Sequence, residues 1–271
     1  MKLPTSPQSP NLSPHAFNWL FMGATDGIGK SSMLASVNYS LSDNEPKPLL
    51  ILDPDQSCKA LPGYILDILT WRDALEVLRM VKSGKEDLSL YSGIGIDNLN
   101  IFHDKLFEDF VRREKHPGDA NDMGKTWNKL TREWTSWLRD IRIASPGLFM
   151  ATCHSNIIEL KIKNTPFNRY VPAIPGGGPR GAYRQTMEMF DIIGFLTKEG
   201  SEEATKPPKD ARADTLAIVA KEQVVIHFLP CQYWEAKDNS RQLPHKIVLS
   251  EDWKEDWNAI LGKWGPENWE K

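Results

Sequence analysis

The stretch Phe17 to Ser32, FNWLFMGATDGIGKSS, constrains the chain more than any other. Trp19, Leu20, Phe21 and Met22 form a short apolar run of the kind a strand buried on both faces needs. It feeds into Ala24-Thr25-Asp26-Gly27-Ile28-Gly29-Lys30-Ser31, which has the spacing of a phosphate-binding loop with Ala24 where the first glycine usually stands. Gly27 and Gly29 let the backbone wrap so that successive N–H groups face phosphate oxygens. The helix predicted from Lys30 through Ser32 and beyond turns its positive end toward the same anion. On this reading residues 24–32 cradle ATP, Lys30 reaches its β- and γ-phosphates, and Ser31 holds Mg²⁺. A plain strand-to-helix turn is the alternative.

The rest of the chain alternates in the same way, which argues for an α/β fold with a mostly parallel central sheet between two layers of helices. The loop helix is expected to end near Ser40. After a polar, proline-broken link, Leu49-Leu-Ile-Leu52 reads as a second strand ending in Asp53-Pro54-Asp55, where open α/β sheets place their ligands. A simple turn is the other reading of that tripeptide. Trp71, Ala74, Leu75, Leu78 and Val81 follow a helical period, and the next strand, Ser92 to Asn98, leads straight to Asp97. Asp97 is preferred to Asp53 as the magnesium-side acid, with a helix N-cap as the alternative role. Residues 100–125 read as a long, charged excursion over the nucleotide face. Trp127, Leu130, Trp134, Trp137, Leu138 and Ile141 then mark a strong helix, whose tryptophan stripe is assigned to the core in preference to base stacking. A fourth strand runs from Gly147 to a polar end at Thr152, Cys153 and His154, and Ile192 to Leu196 suggests another. Gly200 to Asp214 reads as a linker. Thr215 to Ala220 and Gln223 to Leu229 then look like a hairpin turning at Lys221-Glu222, a C-terminal extension of the sheet edge.

At its ends the chain divides into a proline-rich leader over residues 1–15, a core over 16–250 and a tryptophan-rich tail over 251–271 whose first part is amphipathic. A formal charge of -3 on 271 residues gives no general attraction to nucleic acid, so any such contact must come from a local basic surface. Residues 156–188 are the candidate, with Lys161, Lys163, Arg169, Arg180 and Arg184 around Pro175-Gly-Gly-Gly-Pro179 and Phe167, Tyr170 and Tyr183 nearby. Such a loop can follow a single strand by phosphate contact and stacking, or be an ordinary solvated loop. Cys58, Cys153 and Cys231 lack metal-ligand spacing and read as ordinary buried thiols of a reducing compartment. No segment approaches the ~18 apolar residues of a membrane span, so a cytoplasmic protein without a membrane partner is expected.

Taken together, these parts resemble the RecA-like ATPases of bacteriophages, in particular the phage nucleotide-binding proteins of single-strand annealing and recombination. The resemblance is carried by the phosphate loop, Asp53-Pro-Asp55, Tyr91-Ser-Gly-Ile-Gly-Ile-Asp97-Asn98, Gly124-Lys-Thr-Trp127 and Ala151-Thr-Cys-His154. Val171-Pro-Ala-Ile-Pro175-Gly, Phe190-Asp191-Ile-Ile-Gly194, Ala236-Lys237-Asp238 and Leu243-Pro244 extend it, so that it covers most of residues 17–250. It implies a RecA-like P-loop NTPase, a homo-oligomer with nucleotide at the subunit interface, and single-stranded DNA as partner. It also implies roles. Asp55 would polarise the attacking water where relatives have glutamate; it is shorter by one C–C bond, about 1.5 Å, which leaves slow hydrolysis or an inward loop movement as alternatives. His154 matches the sensor of the γ-phosphate, with a satisfied structural histidine as the other reading. Lys237 matches a finger supplied to a neighbour's nucleotide, while Arg241 is displaced from the family's spacing. A nucleotide-gated scaffold that hardly hydrolyses, and a small-molecule phosphotransferase, are the other functional classes.

Overall fold

The computed structural model describes residues 12–23, 27–39, 47–84, 86–114, 116–119, 121, 124–162, 165–176, 181–204 and 218–268. Its first half contains strands β1 (Asn18–Gly23), β2 (Leu49–Asp53), β3 (Tyr64–Asp67) and β4 (Gly93–Ile96), with helices α1 (Lys30–Ser36), α2 (Trp71–Ser83) and α3 (Leu99–Arg113). Helix α4 (Lys125–Ala144) precedes β5 (Leu148–Ile162) and β6 (Thr165–Pro172), and α5 (Ala182–Glu188) precedes β7 (Ile192–Ala204). Then come β8 (Ile218–His227), β9 (Lys237–Asp238), β10 (Lys246–Val248) and α6 (Asp256–Gly262).

Among the described residues the strands form one ten-stranded sheet, ordered β10-β8-β7-β1-β5-β4-β2-β3, with β6 on β5 and β9 on β7. The run from β7 to β3 is parallel, whereas β8, β10, β6 and β9 join antiparallel. Period-two alternation divides β1 between two cores. Leu20 and Met22 face the side covered by α2, α3, α4 and α5, while Trp19 and Phe21 face α1 and α6. This is a three-layer α/β fold of the P-loop NTPase kind. Gly93 is needed where β4 meets β5, since a Cβ there would lie 1.8 Å from the Leu148 carbonyl oxygen.

The tryptophan stripe of α4 is core, as expected: Trp134 and Trp137 are buried, and only Trp127 at the helix start is exposed. The tail packs as well. Trp257 is fully buried with its ring 5.0 Å from that of Trp19.

Several expectations change. Residues 99–113 are not an excursion but helix α3, because Leu99, Phe102, Leu106 and Phe110 recur every three or four residues and bury one stripe, capped by Asn98. Lys221-Glu222 makes no turn: residues 218–227 form the single strand β8, which pairs with β7 from Ala204 to Phe195, so the hairpin is β7–β8. The residues 200–204 assigned to a linker belong to β7, and 205–217 lie outside the described residues. Residues 12–16, assigned in part to a flexible leader, are tied down by Trp264 Nε1 donating to the Leu12 carbonyl at 2.7 Å and Trp19 Nε1 to that of Pro14 at 3.0 Å. The edge strand β3 was not anticipated; its mixed, largely exposed residues carry no alternation. Cys58 and Cys153 are buried, but Cys231 is only partly so. Among the described residues no helix is long and apolar enough to cross a membrane.

Candidate functional site

The parallel register brings the carboxyl ends of the central strands together. Gly23, the last residue of β1, lies between His154 of β5 and Leu196 of β7, while Ile96 of β4 lies beside Ala151 and Leu52. Asp53, Asp97, His154 and the phosphate loop therefore share one edge. Ala24, Thr25 and Asp26 of the expected cradle lie outside the described residues. Gly27 and Gly29 both have positive φ, 69° and 99°, a wrap that disfavours any residue with a Cβ, and an added Cβ at either would meet nothing within 4 Å. Ile28 is buried, and Gly29 is the N-cap of α1, which places Lys30, Ser31 and Ser32 in its first turn. Lys30 is buried and its charge bears on Cys153: burial pushes that thiol up to about 12, and the Ala173 N–H and the Lys30 ammonium oppose the shift.

The two carboxylates at the edge do different work. Asp53 is fully buried, and its oxygens accept from the backbone N–H groups of Asp55 (3.2 Å), Ser57 (3.2 Å) and Cys58 (2.8 Å). It organises the turn after β2, and burial raises its carboxyl above the usual range against the Cys58 N–H. Asp97 accepts instead from side chains: Thr152 Oγ1 on one oxygen, and Ser57 Oγ at 3.3 Å and Cys58 Sγ at 3.0 Å on the other. The cap of α3 is Asn98, not Asp97, so the N-cap role goes to the neighbouring residue and leaves Asp97 to the site. Burial together with the Asp97 and Asp53 charges pushes the Cys58 thiol far up, so it faces Asp97 as a neutral S–H donor.

Asp55 is exposed at the rim. Its Oδ1 accepts from the Ser57 N–H at 3.2 Å and its Oδ2 from Asn98 Nδ2 at 3.3 Å. The same Asn98 nitrogen lies 3.2 Å from His154 Nε2, and the His154 backbone N–H donates to Asn100 Oδ1 at 2.9 Å. Residues 53 to 58, 97 to 100 and 152 to 154 thus form one polar network beside Lys30. Sequence reasoning missed Asn98, Asn100, Ser57, Cys58 and Thr152. The polar residue just before the Leu99, Phe102, Leu106 stripe is a readable cap signal for Asn98; the approach of Ser57 and Cys58 to an acid some forty positions away leaves no local trace.

Lys237 and Arg241, the residues compared with a finger for a neighbour's nucleotide, lie apart from this network. Lys237 pairs with Ile193, and its Nζ donates to the Phe190 carbonyl at 2.6 Å. Ile193 is three residues before Leu196, so Lys237 sits about 10 Å below the loop edge, and within one chain it does not reach the nucleotide cradle. Arg241 is exposed with φ 56° in a turn built on Asp238, which accepts from the N–H groups of Ser240, Arg241 and Leu243. The basic loop also differs from expectation. Beyond His154, β5 continues past the sheet and pairs with β6 as a two-stranded ribbon, followed by α5. Lys161 and Arg184 are exposed, and Arg169 is paired with Glu235 at 3.3 Å. Tyr170 packs on Phe195 and the Tyr183 hydroxyl donates to Glu235, so both rings serve packing; Lys163 and Arg180 lie outside the described residues.

The residues present suit a magnesium nucleotide. The open face of the Gly27–Gly29 loop and the buried Lys30 ammonium offer N–H donors to phosphate, while the Ser31 hydroxyl and the Asp97 carboxylate are oxygen ligands of the kind Mg²⁺ takes. Among the described residues there is no cluster of three His, Cys, Asp or Glu that could hold a metal ion. No curated protein matches the chain. Residues 19–240 match a protein family described as an AAA domain, a span that carries the phosphate loop, Asp97, His154 and Lys237, and the chain belongs to that family of P-loop nucleotide-binding ATPases.

Proposed function

We propose that the protein is a Mg²⁺-dependent ATPase whose nucleotide state controls its grip on single-stranded DNA, in phage recombination, annealing or replication in the host cytoplasm. The observation that carries the reading is the single network linking Asp55, Asn98 and His154 beside Lys30 and Asp97. Lys30 would bind the phosphates, Asp55 would orient and accept a proton from the attacking water, and Ser31 and Asp97 are the residues that would hold Mg²⁺. That ion supplies neutralisation of phosphate charge when bound. His154 is the last β5 residue paired with β1, and the same strand continues into the ribbon that carries Lys161. A shift at His154 therefore has a rigid path to the ribbon. In this reading the protein is a homo-oligomer and Lys237 serves a neighbour's nucleotide, the role that the resemblance implies. Residues 16–250 would form the ATPase unit, with 251–271 as a packed extension.

A nucleotide-gated scaffold is the second reading, favoured by the short Asp55 side chain and by the Lys237 hydrogen bond to Phe190. A phosphotransferase would leave the ribbon and Lys237 without a role. Steady-state phosphate release with ATP and Mg²⁺, with and without single-stranded DNA and beside Lys30→Ala, tests the proposal. DNA-stimulated release that vanishes in Lys30→Ala is expected. ATP binding without release under either condition would transfer support to the scaffold. Stimulation and its salt dependence should also fall when Lys161, Lys163, Arg180 and Arg184 are neutralised; unchanged affinity would remove DNA from the reading.

A further inference from the structure

We propose that Asn98 is the positioning residue of the site: it fixes on which nitrogen His154 carries its proton and aims the Asp55 carboxylate. The carboxamide has only one orientation open to it. Its Oδ1 accepts from the Ile101 N–H at 3.1 Å as the cap of α3, and a backbone N–H can only donate, so the oxygen must face the helix and the nitrogen the site. The Nδ2 group then has two hydrogens and two acceptors, Asp55 Oδ2 at 3.3 Å and His154 Nε2 at 3.2 Å. Because Nε2 must accept, a neutral His154 ring carries its proton on Nδ1; a proton on Nε2 would set two donors against each other. Asn98 is 2% exposed, which leaves little room for water to replace it.

The main chain supports the same arrangement. Asn100 Oδ1 accepts from the His154 N–H at 2.9 Å, so the first turn of α3 holds this residue by both ring and backbone. That turn is anchored by buried Leu99 and Phe102. The amide stands between an acid and an imidazole, and it leaves the Asp55 carboxylate oriented from two sides, by Asn98 and by the Ser57 N–H. Its consequence for hydrolysis rests on the ATPase reading above; the proton position on His154 does not.

Two variants separate this role from the cap. Asn98→Ser keeps a good N-cap acceptor but is too short to bridge, and Asn98→Asp keeps cap and reach while exchanging the donor for an acceptor. Long-range ¹H–¹⁵N spectra of the six histidines, with His154 assigned by His154→Gln, read the tautomer directly. The wild type should show an unprotonated Nε2 on the neutral ring, Asn98→Ser a mixture, and Asn98→Asp a protonated Nε2. In phosphate release, kcat should fall about ten- to a hundredfold in both variants with KM for ATP unchanged. An identical His154 tautomer in all three proteins would overturn the proposal, and so would a changed tautomer with unchanged kcat. If the wild type releases no phosphate, the ATPase reading fails, and the histidine spectra still decide whether Asn98 sets the proton.

Discussion

Replacing Asp97 with asparagine tests whether this acid, and not Asp53, stands on the metal side of the site. Three side-chain donors converge on Asp97, from Thr152, Ser57 and Cys58, and asparagine offers them one oxygen in place of two. At least one hydrogen bond to a charged acceptor is lost, worth about 1.5–3 kcal/mol, partly offset because a buried charge is removed. A net cost of about 1–2 kcal/mol corresponds to a melting temperature lower by about 2–8 °C for a protein of this size class. The functional effect is measured against that baseline. Nucleotide at a hundred times its Kd stabilises the wild type by about 2.7 kcal/mol. The variant should lose the part of this gain that disappears from the wild type when EDTA removes Mg²⁺. Asp53→Asn should destabilise too, since three backbone N–H groups rely on its oxygens, yet retain the Mg²⁺-dependent increment. Thermal melting of the three proteins with ATP, with and without Mg²⁺, makes the comparison. A full Mg²⁺-dependent shift in Asp97→Asn, or its loss in Asp53→Asn alone, would refute the assignment.

Two further outcomes concern the C-terminal helix. Trp257→Ala removes a fully buried ring from between α6 and Trp19 and should cost about 3–5 kcal/mol in urea unfolding; a loss below about 1 kcal/mol would show that the tail does not pack on the core. Burial, reinforced by the Asp252 charge, pushes the Asp256 carboxyl up to about 7. The folded state therefore holds this proton more tightly than the unfolded chain, so its contribution to stability is largest in acid and is lost as pH rises from about 4 to 7. Asp256→Asn should flatten that part of the pH–stability curve and raise the melting temperature at pH 8; an unchanged curve would rule out the buried acid as its source.

Much of the fold was legible because local pattern and tertiary demand agree. The α4 stripe carries a helical period, the apolar runs before the loop and at 49–52 have the shortness and turn-bounded ends of buried strands, and all three form where expected. The misreadings have two causes, a local apolar stripe passed over among charges and a partner strand remote in sequence. Residues 100–113 look charged in sequence, yet one buried stripe suffices to make α3. Lys221-Glu222 reads as a break only if β7 is not already there to pair with it. Within the candidate site, the positions of Lys30 at the start of α1 and of Asp97 just after β4 were legible locally, because the loop is built from neighbours in sequence and the acid follows an apolar strand.

Sequence by itself determined the phosphate loop, the alternation of strands and helices, and the acids at the strand ends, since each depends on residues within one or two turns of one another. Only the tertiary structure decided which acid is occupied by backbone and which faces the site, that Asn98 joins Asp55 to His154, and that Lys237 pairs with β7 three residues before the position beside Gly23. Those distinctions depend on register between strands remote in sequence and on which donors burial brings to each carboxylate, and no local pattern encodes either.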